Sequence, residues 1–334
     1  PLDGEPPPEL DRMVPVHAPP PPPFARRPID RPFATGVRAV DAMLPLGIGQ
    51  RMGIFAGAGV GKSTLLGMIC RSSQADVNVV GLIGERGREL NDFIRQSLGP
   101  DGMSRTVVVA ATSDQPPLVR ARGAESATAI AEYFRNQGLS VLLVMDSITR
   151  YAMALREAAL AAGEPPATKG YPPSVFAALP RLLERAGTGG CNGVITALYT
   201  VLVEGDDMTD PIADSVRSIL DGHIVLSREL AERGHFPAID VLQSVSRLAP
   251  EIAHPDDLRA GALLRDLLSA HREVADLIQV GAYVPGSDPR VEAARAAMPH
   301  LGAFLQQGIH DRVTADEARA RLQALARQAV GRPA

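Results

Sequence analysis

Short apolar runs separated by helix-length segments constrain this chain more than any other feature. "RMGIFA" (51–56), "VNVVGLI" (77–83), "TVVVAA" (106–111) and "SVLLVMD" (140–146) are each followed by a stretch long enough for a helix. A further run, "NGVITALYTVLV", extends from Asn192 to Val203. Runs this apolar belong to strands buried on both faces. Their alternation with helices predicts an α/β fold with a mostly parallel sheet covered on both sides. After about residue 250 such runs stop. Leu264, Leu267, Leu268, His271, Val274, Leu277 and Ile278 then fall at helical spacing and form one stripe. Asp288 before Pro289 marks a helix start, and Thr314 with Glu317 forms a capping box. The C-terminal part is therefore expected to be a small helical domain.

The first of these strands runs into "FAGAGVGKST" (55–64), which departs from the phosphate-loop pattern G-x-x-x-x-G-K-[ST] only in having Ala56 for the first glycine. Ala56 closes a strand, where an ordinary extended backbone suffices, so the departure is tolerable. Gly57, Gly59 and Gly61 let the main chain curl close to phosphate oxygens, and the following helix start favours an anion. Lys62 is placed for the β- and γ-phosphates and Ser63 for Mg²⁺, so a nucleoside triphosphate with Mg²⁺ is the expected ligand of Gly57, Gly59, Val60, Gly61, Lys62, Ser63 and Thr64. The only lysines are Lys62 and Lys169, so one of the two follows Gly61 in a chain whose cations are otherwise arginine. A compact ammonium suits a nest of phosphates better than a guanidinium does.

Three further positions carry two readings each. Asp146 ends an apolar strand, where it either joins the metal shell or caps the next helix. Glu85, in "GLIGERGRE", either polarises an attacking water or forms a surface salt bridge, with Arg86 or Arg88 answering γ-phosphate charge. Arg247, in "PAIDVLQSVSRL", is either a solvated charge or an arginine finger for a neighbour's nucleotide.

Bulk properties narrow the surroundings. The length of 334 residues allows about two domains, and 38 acidic against 34 basic residues give a formal charge of -4, with no general basic surface for nucleic acid. Cys70 and Cys191 offer neither metal spacing nor a disulfide framework, which fits a reducing cytosol. No run approaches the roughly 18 apolar residues of a spanning helix. Residues 1–23 are too proline-rich for a core and predict an extended linker. Proline at position 1 suggests a segment cut away upstream.

The segments "GERGREL", "MDSITRYAMALREAALAAGEPPATKGYPPSVFAALPRLLERAG", "LYTVLVEGDDMTDPIADSVRSILDGHIVLSR" and "HFPAIDVLQSVSRL" closely resemble the ATPase of the flagellar and virulence type III protein-export apparatus. That family is similar in turn to the catalytic β subunit of rotary F1 ATP synthases. "RYAMA" and "ATKGYPPSVF" lean toward the flagellar branch. The resemblance implies a RecA-like ATP-binding domain, expected over 29–249 after the proline-rich linker of 1–28, and a helical domain over 250–334. In the full family a small β-barrel precedes this core, and the sequence is expected to start after it. The resemblance assigns Lys62 and Ser63 to phosphate and Mg²⁺, Glu85 to catalytic water, Arg86 to γ-phosphate, Asp146 to the metal shell and Arg247 to the trans-acting finger. Phe236 matches the aromatic that stacks on adenine. "VEGDDMTDP" (203–211) would face a ring's channel or stalk by resemblance, and is equally readable as a solvated acidic loop.

The function so implied is ATP hydrolysis energising protein export. The implied partners are other copies in a homohexamer, stalk and regulator proteins, and chaperone–substrate complexes, at a cytoplasmic position peripheral to the membrane export gate. With oligomer contacts expected on the barrel, the chain alone is expected to be monomeric and weakly active. The rivals are a rotary synthase subunit, a non-catalytic nucleotide-binding subunit, and a RecA-like nucleic-acid motor, for which the loop corresponding to a basic channel loop is acidic here.

Overall fold

The computed structural model describes residues 13–203, 205 and 207–330. Strands among them are Pro32–Phe33 (β1), Leu46–Gly47 (β2), Arg51–Ala56 (β3), Val77–Ile83 (β4), Thr106–Ala111 (β5), Ser140–Asp146 (β6), Val194–Leu202 (β7), Gly222–Leu226 (β8) and Val245–Ser246 (β9). Seven of them form one sheet in the order β5-β4-β6-β7-β3-β8-β9, and β1 pairs with β2 in a small antiparallel ribbon. The five apolar runs picked out by composition are β3 to β7. Two sheet members, β8 and β9, carry no such signal, and they pair antiparallel, so the sheet is mostly rather than wholly parallel.

The chain divides into two compact units. The first comprises Pro1–Ile29, Ile48–Ala58 and Ala75–Asp221. Its strands β5, β4, β6, β7 and β3 pair in parallel throughout. The helix Pro117–Asn136 packs on β4, β5 and β6, and its small inward residues Ala121, Ala124, Ala127 and Ala131 are buried. β6 is buried from Val141 to Asp146, and burial of each of its Val and Leu side chains contributes about 1.5–3 kcal/mol. At the start of β3, Asp221 receives Arg51 Nε and Nη2, both at 3.0 Å. This bidentate pair fixes where the strand enters the sheet.

The proline-rich prediction over 1–28 falls partly outside the described residues. Its described part forms no helix or strand apart from a short 3₁₀ turn at Pro23–Ala25, and it is fastened to the rest of the first unit. Arg26 Nη1 donates to the Ala186 carbonyl at 3.0 Å and Arg27 Nη2 to the Asn192 carbonyl at 3.1 Å. The main-chain acceptors come from the glycine-rich loop after Arg185 and could not be paired with these arginines by local pattern.

The second unit comprises Asp30–Gly47, Gly59–Gln74 and Gly222–Ala334. It contains the helix Lys62–Ser72, the β8–β9 pair and the long helices Pro255–Gln279, Pro289–Leu305 and Ala315–Val330. Of the predicted stripe, Leu264 and Leu267 are buried, whereas Leu277 at the far end is exposed. Both predicted helix starts are formed. Asp288 Oδ1 accepts the Arg290 N–H at 2.8 Å, while Thr314 and Glu317 exchange side-chain to main-chain bonds of 2.9 and 3.2 Å. Among the described residues, no helix is long and apolar enough to cross a membrane.

Candidate active site

Between β3 and the helix Lys62–Ser72, Gly59 and Gly61 adopt φ of +79° and +89°. Gly61 is the N-cap of that helix in the left-handed region, which costs a residue with a side chain about 1–2 kcal/mol. A Cβ there would also stand 3.4 Å from two ring carbons of Phe236. Ala56 is instead the last residue of β3, in register with Leu202, and its carbonyl accepts the Val203 N–H at 3.1 Å. The residue that departs from the glycine pattern is therefore an ordinary strand residue. Gly57 and Val60 are buried, Lys62 and Thr64 half-buried and Ser63 exposed.

β4 and β6 are neighbours with Leu82 opposite Asp146, so the turn after β4 and the end of β6 share the carboxyl edge of the sheet. In that turn the Gly84 N–H donates to the Ala111 carbonyl at 2.7 Å and the Ser113 N–H to the Glu85 carbonyl at 3.0 Å. The half-buried Glu85 thus stands on a main chain stitched to the end of β5. Arg86 is the N-cap of the helix Gly87–Asp92 and is highly exposed. Its contact with Glu89 is 3.4 Å, a solvent-screened pair that leaves its guanidinium easily drawn elsewhere.

Asp146 is 2% exposed, and its Oδ1 accepts the Thr200 hydroxyl at 2.7 Å. Helix capping falls to the next residue, since Ser147 Oγ accepts the Arg150 N–H at 3.3 Å. Of the two roles open for Asp146, the cap is thereby taken by its neighbour. The Asp146 carboxylate, buried and aimed by a threonine, is a hard oxygen donor of the kind Mg²⁺ takes. Arg247 follows β9, an edge strand of the sheet, and is exposed.

Sequence reasoning missed the residues that hold these groups in place. Thr200 lies on a different strand from Asp146 and nothing local links the two. Asp240, in the loop after Phe236, is 3% exposed, and its Oδ1 accepts the Leu242 N–H at 3.0 Å. Gln243 Nε2 reaches its Oδ2 at 2.8 Å, and Arg272 from the helix Pro255–Gln279 lies 3.0 Å away. Burial pushes this carboxyl up, but the Gln243 and Arg272 bonds outweigh it and hold Asp240 below the usual carboxylate range. A depressed folded pKa stabilises the fold above the unfolded value near 3.9, and the gain is lost as pH falls through the folded one. Asp240→Asn is therefore expected to lower stability by about 1.5–3 kcal/mol at pH 7. The gap to the parent, read by denaturant melts, should narrow below about pH 4; a constant gap would contradict the assignment.

Residues 36–246 match the ATP synthase alpha/beta family, nucleotide-binding domain, and the chain belongs to that family. Within it the chain falls in the flagellar and type III secretion group of ATPases, since residues 253–324 match the T3SS EscN ATPase C-terminal domain. The flagellum-specific ATP synthase of Salmonella typhimurium is 58% identical over 97% of this chain and 71% of its own length. The type 3 secretion system ATPase of Xanthomonas euvesicatoria is 56% identical over 92% of this chain and 69% of its own length. A solved type III secretion ATPase of pathogenic bacteria superposes with a TM-score of 0.89 at 50% identity, covering 96% of this chain and 92% of that one. The assembled ATPase EscN of enteropathogenic E. coli gives 0.88 at 50% identity, over 96% and 79% of the two chains.

Proposed function

We propose that this chain is a Mg²⁺-dependent ATP hydrolase that energises protein export by a flagellar or virulence type III apparatus, acting as a ring of identical subunits. The observation that carries the hydrolase reading is the turn at 57–64, whose left-handed glycines lead directly into a helix start. Main-chain N–H groups in such a turn converge on an anion, and the helix dipole adds to their field. Lys62 neutralises the β- and γ-phosphates. Ser63 and Asp146 hold the Mg²⁺, which supplies charge stabilisation to the phosphate oxygens when bound. Glu85 orients the attacking water and accepts its proton, while Arg86 meets charge on the γ-phosphate. Arg247 serves a neighbouring subunit from its exposed place at the sheet edge. The Phe236 ring, 45% exposed beside Gly61, stacks on adenine.

The ring and its stalk partner are proposed because EscN has been solved assembled and in complex with its central stalk EscO. Chaperone–substrate complexes, the membrane export gate and a cytoplasmic position follow from the same role. One chain carries both the Lys62–Glu85 set and Arg247, so every interface of a homohexamer is complete, which favours export over an alternating rotary synthase. The test is phosphate release. With ATP and Mg²⁺ the chain should turn over, excess chelator should reduce release to background, and RNA should neither bind nor stimulate. Turnover unchanged by chelation, or an RNA-dependent rate, would overturn this reading.

A further inference from the structure

Gln307 lies just beyond the helix Pro289–Leu305, yet it is only 6% exposed. A buried carboxamide must satisfy both its ends. Its Oε1 accepts the Arg38 N–H at 2.7 Å, and its Nε2 donates to the carbonyls of Gly36 at 2.9 Å and Asp311 at 3.2 Å. With its side chain so locked, its own main-chain N–H donates to the Phe236 carbonyl at 2.9 Å. A ring nearly half open to solvent is not held by packing alone, so the anchoring of its main chain decides where it stands.

The segments around that carboxamide are tied to the helix Lys62–Ser72, at whose other end Gly61 meets the Phe236 ring. Arg71, in its last turn, donates to the Ile309 carbonyl at 2.7 Å. Gly36 lies so close that a Cβ on it would stand 2.3 Å from Ser72 Cβ, and at φ +76° only glycine is comfortable there. Arg38 in turn caps the helix Pro289–Leu305 through the Phe304 carbonyl at 2.5 Å and lies over the Phe304 ring. Gln307 thus joins both ends of the helix that follows the phosphate loop: its C-terminus through Gly36, its N-terminus through Phe236.

We propose that Gln307 is a positioning residue for the purine base, setting the height of the Phe236 ring over Gly61. The proposal rests on the reading of Phe236 as the base-stacking residue. Its signature is selectivity: the base should feel Gln307, whereas the triphosphate tail should not.

The experiment measures the affinity of a nonhydrolysable ATP analogue and of inorganic tripolyphosphate, each with Mg²⁺, by calorimetry on the whole chain. Phe236→Ala, Gln307→Ala and the double variant are compared with the parent, and Gln307→Glu, which keeps the acceptor and volume but loses the donor to Gly36, replaces Gln307→Ala if that variant fails to fold. Loss of a base–aromatic stack should weaken the analogue at least about fivefold in Phe236→Ala. Gln307→Ala should weaken it roughly three- to tenfold through lost preorganisation, leave tripolyphosphate within about twofold, and add nothing in the Phe236→Ala background. Equal loss of both ligands in Gln307→Ala, or a loss that persists undiminished in the double variant, would overturn the proposal. If Phe236→Ala weakens the analogue and Gln307→Ala does not, Gln307 alone is wrong. If Phe236→Ala changes neither ligand, the stacking reading is wrong, and the role of Gln307 falls with it.

Discussion

Glu85→Gln is expected to bind ATP as the parent chain does and to release phosphate roughly 10²–10⁴-fold more slowly. The substitution preserves volume and hydrogen-bonding reach, so the turn held by Ala111 and Ser113 has no reason to rearrange. What disappears is the ability to take a proton from water. An effect confined to kcat, with binding measured separately by calorimetry, is the mark of an interaction made in the transition state. A surface salt-bridge role predicts a different result: a small change in stability and no change in rate. The same variant separates an enzyme from a nucleotide-binding subunit without catalysis, since only the former has a rate to lose.

Arg247→Ala should lower turnover by about 10³-fold or more, as removal of an arginine finger does, with the fold intact because the side chain is exposed. The sharper form of this prediction uses mixing. A Lys62→Ala chain lacks the phosphate grip but still presents Arg247, and an Arg247→Ala chain has the reverse defect. Where an Arg247→Ala subunit binds the nucleotide and a Lys62→Ala subunit faces it, both functions are present at one interface. Mixtures of the two inactive chains should therefore regain part of the parent rate, with a maximum at an intermediate ratio and a dependence on protein concentration. If no ratio restores hydrolysis under conditions where the parent assembles and turns over, Arg247 does not act on a neighbour.

Much of this candidate site is legible in the sequence, for physical reasons that differ from residue to residue. The phosphate loop is local chemistry, in which glycine, lysine and serine stand at fixed offsets between a strand and a helix. β3, β4, β6 and β7 are legible because burial on both faces demands unbroken apolar runs, and the edge strand β5, half-buried along most of its length, carries the same kind of run. β8 is short, β9 is shorter still, and an edge strand of two residues has no periodicity to detect. The two roles left open for Asp146 depended on which residue caps the following helix, and the hydroxyl of Ser147 decides that. Thr200, Arg272 and Gln307 were not legible because each acts on a residue far along the chain, through a contact that folding alone creates. The fastening of Arg26 and Arg27 belongs with these, since composition speaks of extension but says nothing about what an extended segment lies against.

The proposed mechanism requires that intact ATP is gripped at residues 57–64 and waits there for Glu85 to activate water. A structure of the Glu85→Gln chain grown with ATP and Mg²⁺ tests it most directly. The expected result is uncleaved nucleotide with its β- and γ-phosphates on the main-chain N–H groups of the loop, within reach of Lys62, and its base on the Phe236 ring. Nucleotide bound elsewhere while that loop stays empty would contradict the account, as would ADP and phosphate in place of ATP.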